Sequence, residues 1–147
     1  MQNIIKIILA NGLDDIVGIA NVERICFKSP WSYSMLLESY ENNCTYYVAK
    51  SDKEVIGYIG LYSNGDITNV AVLPEYRGQG IATNLINYII EYAKANNIPS
   101  IFLEVRVSNY NAIKLYEKSG FKQINVRKKY YDDGEDALIY CLEVDKY

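Results

Sequence analysis

Histidine is absent from all 147 residues of this sequence. Its absence excludes Ser-His-Asp and Cys-His catalytic pairs, and it excludes every metal site that depends on an imidazole ligand. Any acid–base chemistry must therefore use Glu, Asp, Tyr, Lys or Cys side chains.

Cysteine is scarce as well. The three cysteines, Cys26, Cys44 and Cys141, lie far apart in the sequence, which predicts neither a disulfide framework nor a zinc site. We expect no metal, and we interpret the thiols as small buried groups in a reducing cytosol.

Long apolar runs and basic runs are also missing. The apolar first residues are interrupted by Lys6 and lack a small-residue cleavage site, so they are interpreted as a strand and not as a signal peptide. No apolar run approaches membrane-spanning length, so we expect a cytoplasmic protein with no membrane partner. The net charge of −3 comes with no basic patch, so no nucleic-acid partner is predicted.

The length favours one domain, covering residues 1–147. Hydrophobic periodicity predicts the element order βααβββαβαββ, which is an α/β (α+β) fold with a mixed, mostly antiparallel sheet of about seven strands and helices on both faces. The predicted strands cover 4–9, 45–50, 55–62, 67–72, 101–107, 121–131 and 137–144, and the predicted helices 13–27, 32–40, 82–96 and 109–119. The strands at 67–72 and 101–107 should pair or lie nearly parallel, with a right-handed connection.

A glycine-rich loop connects a predicted strand to a predicted helix. It consists of Arg77, Gly78, Gln79, Gly80, Ile81 and Ala82. Glycines allow close approach of the backbone to a ligand, and the following helix start is positive, so the loop suits an anion such as a pyrophosphate. It lacks the Gly-Lys-Ser/Thr of a Walker loop and the spacing of the dinucleotide fingerprint. A glycine-rich turn with no ligand is the alternative.

Several motifs recur together in one known family. The loop matches the R/Q-x-x-G-x-G/A signature of the GNAT superfamily of acyl-CoA N-acyltransferases, with Ala82 in place of the commoner glycine. Further matching segments lie at 27–32, 69–76, 103–109, 112–117, 120–121, 130–131 and 133–137. The chain thus resembles one GNAT branch over nearly its whole length, the bacterial ribosomal-protein-alanine N-acetyltransferases (RimI type).

The resemblance implies an acetyl-CoA cosubstrate. The pantetheine arm is expected to pair like an added strand with the backbone of Val70, Ala71 and Val72, and the loop at 77–82 is expected to hold the pyrophosphate. Asn109 is expected to contact the cofactor, although an asparagine at this place is also a natural helix cap.

The resemblance also implies two catalytic residues. Glu104 corresponds to the general base of the family, and we expect it to be partly buried. A carboxylate paired with Arg106 or facing a sheet edge is the alternative. Tyr116 corresponds to the general acid that protonates the CoA thiolate, and a core ring is the alternative there.

Acceptor-binding residues are less distinctive in the sequence. Trp31, Tyr130 and Tyr131 are candidates for lining an acceptor groove, and core packing is an equally good interpretation of each. Asp133 and Glu135 are expected in a turn between the last two strands.

The predicted reaction is direct attack of a neutral amine on the acetyl thioester. An α-amino group with a pKa near 8 is about a tenth neutral at pH 7, whereas a lysine near 10.4 is neutral roughly once in 2,500. A protein N-terminus is therefore the easier acceptor, and the resemblance implies the N-terminal alanine of a small-subunit ribosomal protein. Acetylation of a lysine or small amine, and a silent acyl-CoA sensor, are the alternatives.

Overall fold

The computed structural model describes residues 4–144. Within this range, the elements follow the predicted order. They are β1 (Ile5–Leu9), α1 (Leu13–Cys26), α2 (Tyr33–Asn42), β2 (Cys44–Ser51), β3 (Glu54–Tyr62), β4 (Ile67–Val72), a short 3-10 turn (Pro74–Tyr76), α3 (Ile81–Ala95), β5 (Ser100–Arg106), α4 (Tyr110–Lys118), β6 (Lys122–Arg127) and β7 (Ala137–Glu143). The chain divides into two compact units.

The first unit comprises the described residues up to Ser63 together with Ile67–Ile89. Its sheet has the strand order β1-β2-β3-β4, and every neighbouring pair is antiparallel. Strand β3 is buried along almost its entire length, as a central strand should be. Helix α1 contributes apolar residues at helical spacing to the core, and β4 forms one edge of the sheet.

Strand β4 contains a bulge. Between the Leu61–Ile67 pair and the Ile59–Val70 pair, β4 advances three residues while β3 advances two. The extra residue at 68–69 interrupts the ladder immediately before Val70. Bulges of this kind are common beside functional sites because they leave backbone groups unpaired.

The second unit comprises Asn64–Asp66 and the described residues from Ile90 onwards. Its sheet has the order β5-β7-β6 with antiparallel pairing throughout, so β7 is central. Asn109 caps α4 by accepting a hydrogen bond from the amide of Ala112. Gly120 follows that helix with φ of 100°, the left-handed conformation that commonly ends a helix.

Two expectations about the strands need correction. Strands β4 and β5 belong to different sheets, so the expected pairing between them is absent, although Asp66 forms a parallel bridge with Phe102 of β5. Strand β6 ends at Arg127 and not at 131, because Asp136 Oδ1 accepts from the Lys129 amide at 2.8 Å and draws the chain into a turn.

Two searches of residues 4–144 have negative results. None of the helices there has both the length and the apolar composition that crossing a bilayer requires. The same residues contain no group of three or more His, Cys, Asp or Glu side chains arranged to hold a metal ion.

Candidate active site

The edge strand β4 directs part of its backbone away from its own sheet. The Leu73 amide donates to the Ile56 carbonyl at 2.8 Å, and inward and outward groups alternate along an antiparallel ladder. Ala71, two residues earlier, therefore bonds within the sheet. Val70 and Val72 point their N–H and C=O groups outward, which is the orientation that an added strand of ligand needs.

The predicted anion loop begins five residues after β4. Gly78 and Gly80 have φ of 79° and 80°, a conformation that other residues adopt only at a cost. A Cβ placed on either glycine would meet no described atom within 4 Å. Helix α3 begins at Ile81, and the first amides of a helix lack partners within the helix. The loop thus offers open space beside unpaired N–H groups, as an anion site requires.

Arg77 lies against the end of β4 in this structure. Its Nε donates to the Val72 carbonyl at 2.9 Å, and its Nη2 lies 3.6 Å from Cys26 Sγ. The Cys26 thiol is also 3.6 Å from the same carbonyl, and burial raises the pKa of this thiol. The Arg77 side chain therefore satisfies an outward carbonyl of β4 by hydrogen bonding. Its predicted contact with a pyrophosphate stays a prediction.

A buried carboxylate that the sequence analysis did not single out lies behind β4. Glu23 is only 2% exposed. Its Oε2 accepts from the Trp31 amide at 2.9 Å, and its Oε1 accepts from the Tyr58 hydroxyl and, at 3.5 Å, from Asn69 Nδ2. Burial, and then the charge of Glu23, raise the pKa of Tyr58, so this phenol stays a proton donor. Glu23 lies four residues after the buried Ile19, so both side chains lie on the same face of α1. An acidic residue on the apolar face of a helix is the sequence signal that could have revealed this buried carboxylate.

The Glu23 contact fixes the segment between α1 and α2. Trp31 in this segment is partly exposed and borders two cavities of about 330 and 470 Å³. The first is also lined by Met35, Glu38 and Tyr62. Trp31 thus lines these two cavities and does not lie in the core. This position is compatible with the predicted role of Trp31 in acceptor binding.

Glu104 lies on β5 in the second unit. Residues 101, 103 and 105 of this strand are buried, whereas Glu104 is exposed. The expected partial burial is therefore wrong, because the alternation of the strand places Glu104 on the opposite face. The Glu104 carboxylate, more than burial, raises the pKa of Tyr130.

Arg106 is not the partner of Glu104. Its Nη1 donates to Asp133 Oδ2 at 2.8 Å and to Glu135 Oε1 at 2.9 Å, and its guanidinium carbon lies 4.0 Å from the centre of the Tyr131 ring. The alternative of a Glu104–Arg106 pair is therefore contradicted. Asp133 and Glu135 lie in the predicted turn, but each also holds this arginine.

Tyr116 combines a buried ring with a protonated hydroxyl. The ring packs edge-to-face on Phe121 with centroids 5.9 Å apart, and burial raises the pKa of Tyr116 to about 12. The hydroxyl is therefore protonated at neutral pH, as a general acid must be. Both interpretations of this residue, core ring and proton donor, are compatible with its place in α4.

The structure brings some predicted residues together within each unit. In the first unit, Val70, Val72 and Arg77 adjoin one another at the end of β4. In the second unit, Glu104 raises the pKa of Tyr130, and the rings of Tyr130 and Tyr131 meet with centroids 5.1 Å apart. Asn109 caps the helix that carries the predicted acid.

Comparisons with known proteins agree with this geometry. The family model described as Acetyltransferase (GNAT) family matches residues 16–121. A Bacillus subtilis protein provisionally named ribosomal protein bS18-alanine N-acetyltransferase is 39% identical over 140 residues, covering 91% of this chain and 93% of the relative. A Saccharolobus solfataricus protein named N-alpha-acetyltransferase is 39% identical over 144 residues, covering 86% of each chain.

A solved structure leads to the same family. The crystal structure of the ribosomal-protein-S18-alanine N-acetyltransferase from Escherichia coli superposes with a TM-score of 0.88 at 25% identity, covering 98% of this chain and 96% of that chain. The predicted fold class, the predicted enzyme class and the resemblance to the ribosomal-protein-alanine branch are confirmed. The chain belongs to the acetyltransferase (GNAT) family.

Proposed function

We propose that this enzyme transfers an acetyl group from acetyl-CoA to the α-amino group of a protein N-terminus. The relatives support an α-amine as the acceptor, since one is named as a ribosomal protein bS18-alanine N-acetyltransferase and the other as an N-alpha-acetyltransferase. The N-terminal alanine of a small-subunit ribosomal protein is the acceptor that we expect. A cytoplasmic location goes with this proposal as a prediction.

The observation that supports acetyl-CoA as the acetyl donor is the outward backbone of β4. This strand leads into the glycine loop. An extended pantetheine arm would pair with the outward groups of Val70 and Val72. A pyrophosphate would fit the open space beside Gly78 and Gly80 at the start of α3. Acetyl-CoA supplies a thioester, and backbone N–H groups near Val72 are suited to stabilise an oxyanion on it.

The proton transfers are assigned to Glu104 and Tyr116. The amine nitrogen forms a bond to the thioester carbonyl carbon, and its proton passes to the Glu104 carboxylate directly or through one water. The C–S bond then breaks, and the Tyr116 hydroxyl gives its proton to the thiolate sulfur. No covalent enzyme intermediate is needed.

Acceptor binding is assigned to Trp31, Tyr130 and Tyr131. Trp31 borders two cavities, and the Glu104 carboxylate raises the pKa of Tyr130. Aromatic walls of this kind bury the apolar part of a peptide and leave a polar atom for its backbone. An acceptor amine would thus meet the base beside an aromatic ring.

Peptide acetylation followed by mass spectrometry tests the proposal. The purified enzyme is incubated with acetyl-CoA and an alanine-starting peptide that also contains one lysine, alongside the same peptide with a blocked N-terminus. Acetylation at the α-amine alone supports the proposal. Acetylation of the blocked peptide at lysine would contradict it in favour of a lysine acetyltransferase, and binding of acetyl-CoA without transfer to any amine would favour the sensor.

A broader N-terminal acetyltransferase is the second candidate. It is favoured by the archaeal relative, which equals the bacterial relative in identity and whose name specifies no protein. Peptides that start with Ala, Ser and Met distinguish the two, because a ribosomal-protein enzyme should prefer one N-terminal sequence by a large ratio of kcat/KM.

A further inference from the structure

We propose that Arg106 is a positioning residue, which clasps the loop between β6 and β7 and thereby holds Tyr130 and Tyr131 beside the strand that carries Glu104. We call the ion pairs of Arg106 with Asp133 and Glu135 the Arg106 clasp. The inference rests on the proposed function for its kinetic consequence, since it assigns the clasp to acceptor binding. The contacts of the clasp itself involve only described residues of the second unit.

The clasp starts from the same strand face as the predicted base. Glu104 and Arg106 are two residues apart on β5, so their side chains leave one face of the strand, with Cα atoms roughly 7 Å apart. A single nitrogen, Nη1 of Arg106, donates to both Asp133 Oδ2 and Glu135 Oε1, at 2.8 and 2.9 Å. Strand β5 thus presents the base and the anchor of the loop side by side.

The loop is built around the two carboxylates. Glu135 Oε2 accepts from the Ser108 amide at 2.9 Å, and Asp133 Oδ1 accepts from the Glu135 amide at 3.0 Å. The Gly134 amide donates to the Tyr131 carbonyl at 2.8 Å. In each carboxylate, one oxygen therefore accepts a hydrogen bond from a backbone amide and the other accepts one from Arg106. The arginine thus connects the turn to β5.

The aromatic residues lie at the start of this turn. Tyr131 packs its ring under the guanidinium of Arg106 at 4.0 Å, and the preceding Tyr130 contacts that ring at 5.1 Å between centroids. The Glu104 carboxylate in turn raises the pKa of Tyr130. A cation–π contact and two ion pairs thus converge on one guanidinium, which fixes the loop segment that carries Tyr130 and Tyr131.

Charge makes arginine necessary at this place. Without it, the carboxylates of Asp133 and Glu135 would lie side by side with no cation paired to them. Arg127 does not substitute, because its guanidinium lies over the Tyr130 ring, 5.7 Å from the ring centre, and forms no ion pair with either carboxylate among the described residues. Lys128 pairs with Asp136 at 3.3 Å. Loss of Arg106 is expected to release the loop from the strand.

Hydrogen exchange tests the clasp without reference to activity. In Arg106→Met, the amides of Ser108 and Glu135 should exchange faster than in the wild type, while those in α3 should not change. Lys128→Met is the matched control, since it removes a cation from the same loop and leaves Asp133 and Glu135 paired. Unchanged exchange at Ser108 and Glu135 in Arg106→Met would overturn the clasp.

Kinetics test its function. Arg106→Met should lower kcat/KM for an alanine-starting peptide roughly 10- to 100-fold, as misplacement of a positioning group does, with the KM for acetyl-CoA unchanged. Arg106→Lys should recover part of this loss, because it keeps the charge but not the forked geometry. The double variant Asp133→Asn, Glu135→Gln should also lower kcat/KM for the alanine-starting peptide. Adding Arg106→Met to this double variant should not lower kcat/KM further, because the ion pairs are already lost.

The outcomes separate the two proposals. Wild-type enzyme that acetylates no N-terminus defeats the proposed function, while the exchange experiment still decides the clasp. A folded Arg106→Met variant with wild-type kcat/KM for the peptide overturns the positioning role. An equal rise in KM for peptide and acetyl-CoA also overturns it. If Arg106→Met does not fold, the Asp133→Asn, Glu135→Gln variant carries both measurements.

Discussion

Replacing Glu23 with alanine should destabilise the protein more than replacement of any exposed acid. The substitution removes the acceptor of the Trp31 amide and of the Tyr58 hydroxyl. Glu23 and Tyr58 are both almost completely buried, so water cannot replace the lost partner of the phenol without opening the core.

The magnitude follows from the number of donors that lose their partner. A buried donor left without an acceptor costs about 1–3 kcal/mol, and hydrogen bonds to a charged group lie toward the upper end of the range for hydrogen bonds. Two strong donors therefore give a loss of about 3–5 kcal/mol, with little added by the long contact to Asn69. For a chain of this size, the expected fall in Tm is roughly 10–20 °C.

Glutamine is the informative comparison at this position. Glu23→Gln keeps one oxygen acceptor and the side-chain volume, but it turns an NH₂ group toward a donor. We expect a loss of about 1–2 kcal/mol, smaller than that of the alanine variant. Urea denaturation followed by circular dichroism measures both, with Glu41→Ala on the exposed surface of α2 as the control. A Glu23→Ala variant as stable as Glu41→Ala would refute the reasoning.

Three further substitutions test the chemistry. Tyr116→Phe should lower kcat about 10²- to 10⁴-fold while acetyl-CoA binding is retained; unchanged turnover, with chemistry limiting the rate, would leave this residue a core ring. Glu104→Gln should be slow at neutral pH and recover as the pH rises through the amine pKa near 8, and a wild-type pH–rate profile would contradict the role of Glu104 as base. Gly80→Ala should weaken CoA binding in calorimetry, whereas Gly12→Ala, with a similar positive φ and open surroundings, should leave it unchanged; equal affinity in both variants would argue against the loop as the anion site.

Local signals allowed much of the fold to be predicted. Ser32 caps α2 by accepting from the Met35 amide, and Gly120 ends α4 in a left-handed conformation; serine is a preferred N-cap and glycine a preferred helix terminator. The bounds of β4 were predicted without error, because turn residues flank its apolar run on both sides. Each of these features depends on neighbours within a few positions in the sequence.

Features that depend on distant partners were missed. Glu23 meets Tyr58 across 35 positions, and Arg106 meets Asp133 across 27; neither pairing leaves a local pattern. The strand propensity of Tyr130 and Tyr131 predicted too long a β6, because the capture of the Lys129 amide by Asp136 was not visible in the sequence. The direction in which Ala71 points its backbone groups is likewise set by β3.

The position of Trp31 gives the enzyme a built-in optical reporter. It is the single tryptophan of the chain, its backbone is tied to a buried carboxylate, and its ring borders two cavities. Intrinsic fluorescence excited at the red edge of protein absorption therefore comes from one place in the fold. A peptide that displaces water from either cavity would shift this emission to shorter wavelength, so the proposed binding of the acceptor beside Trp31 can be tested by titration without a label and without turnover.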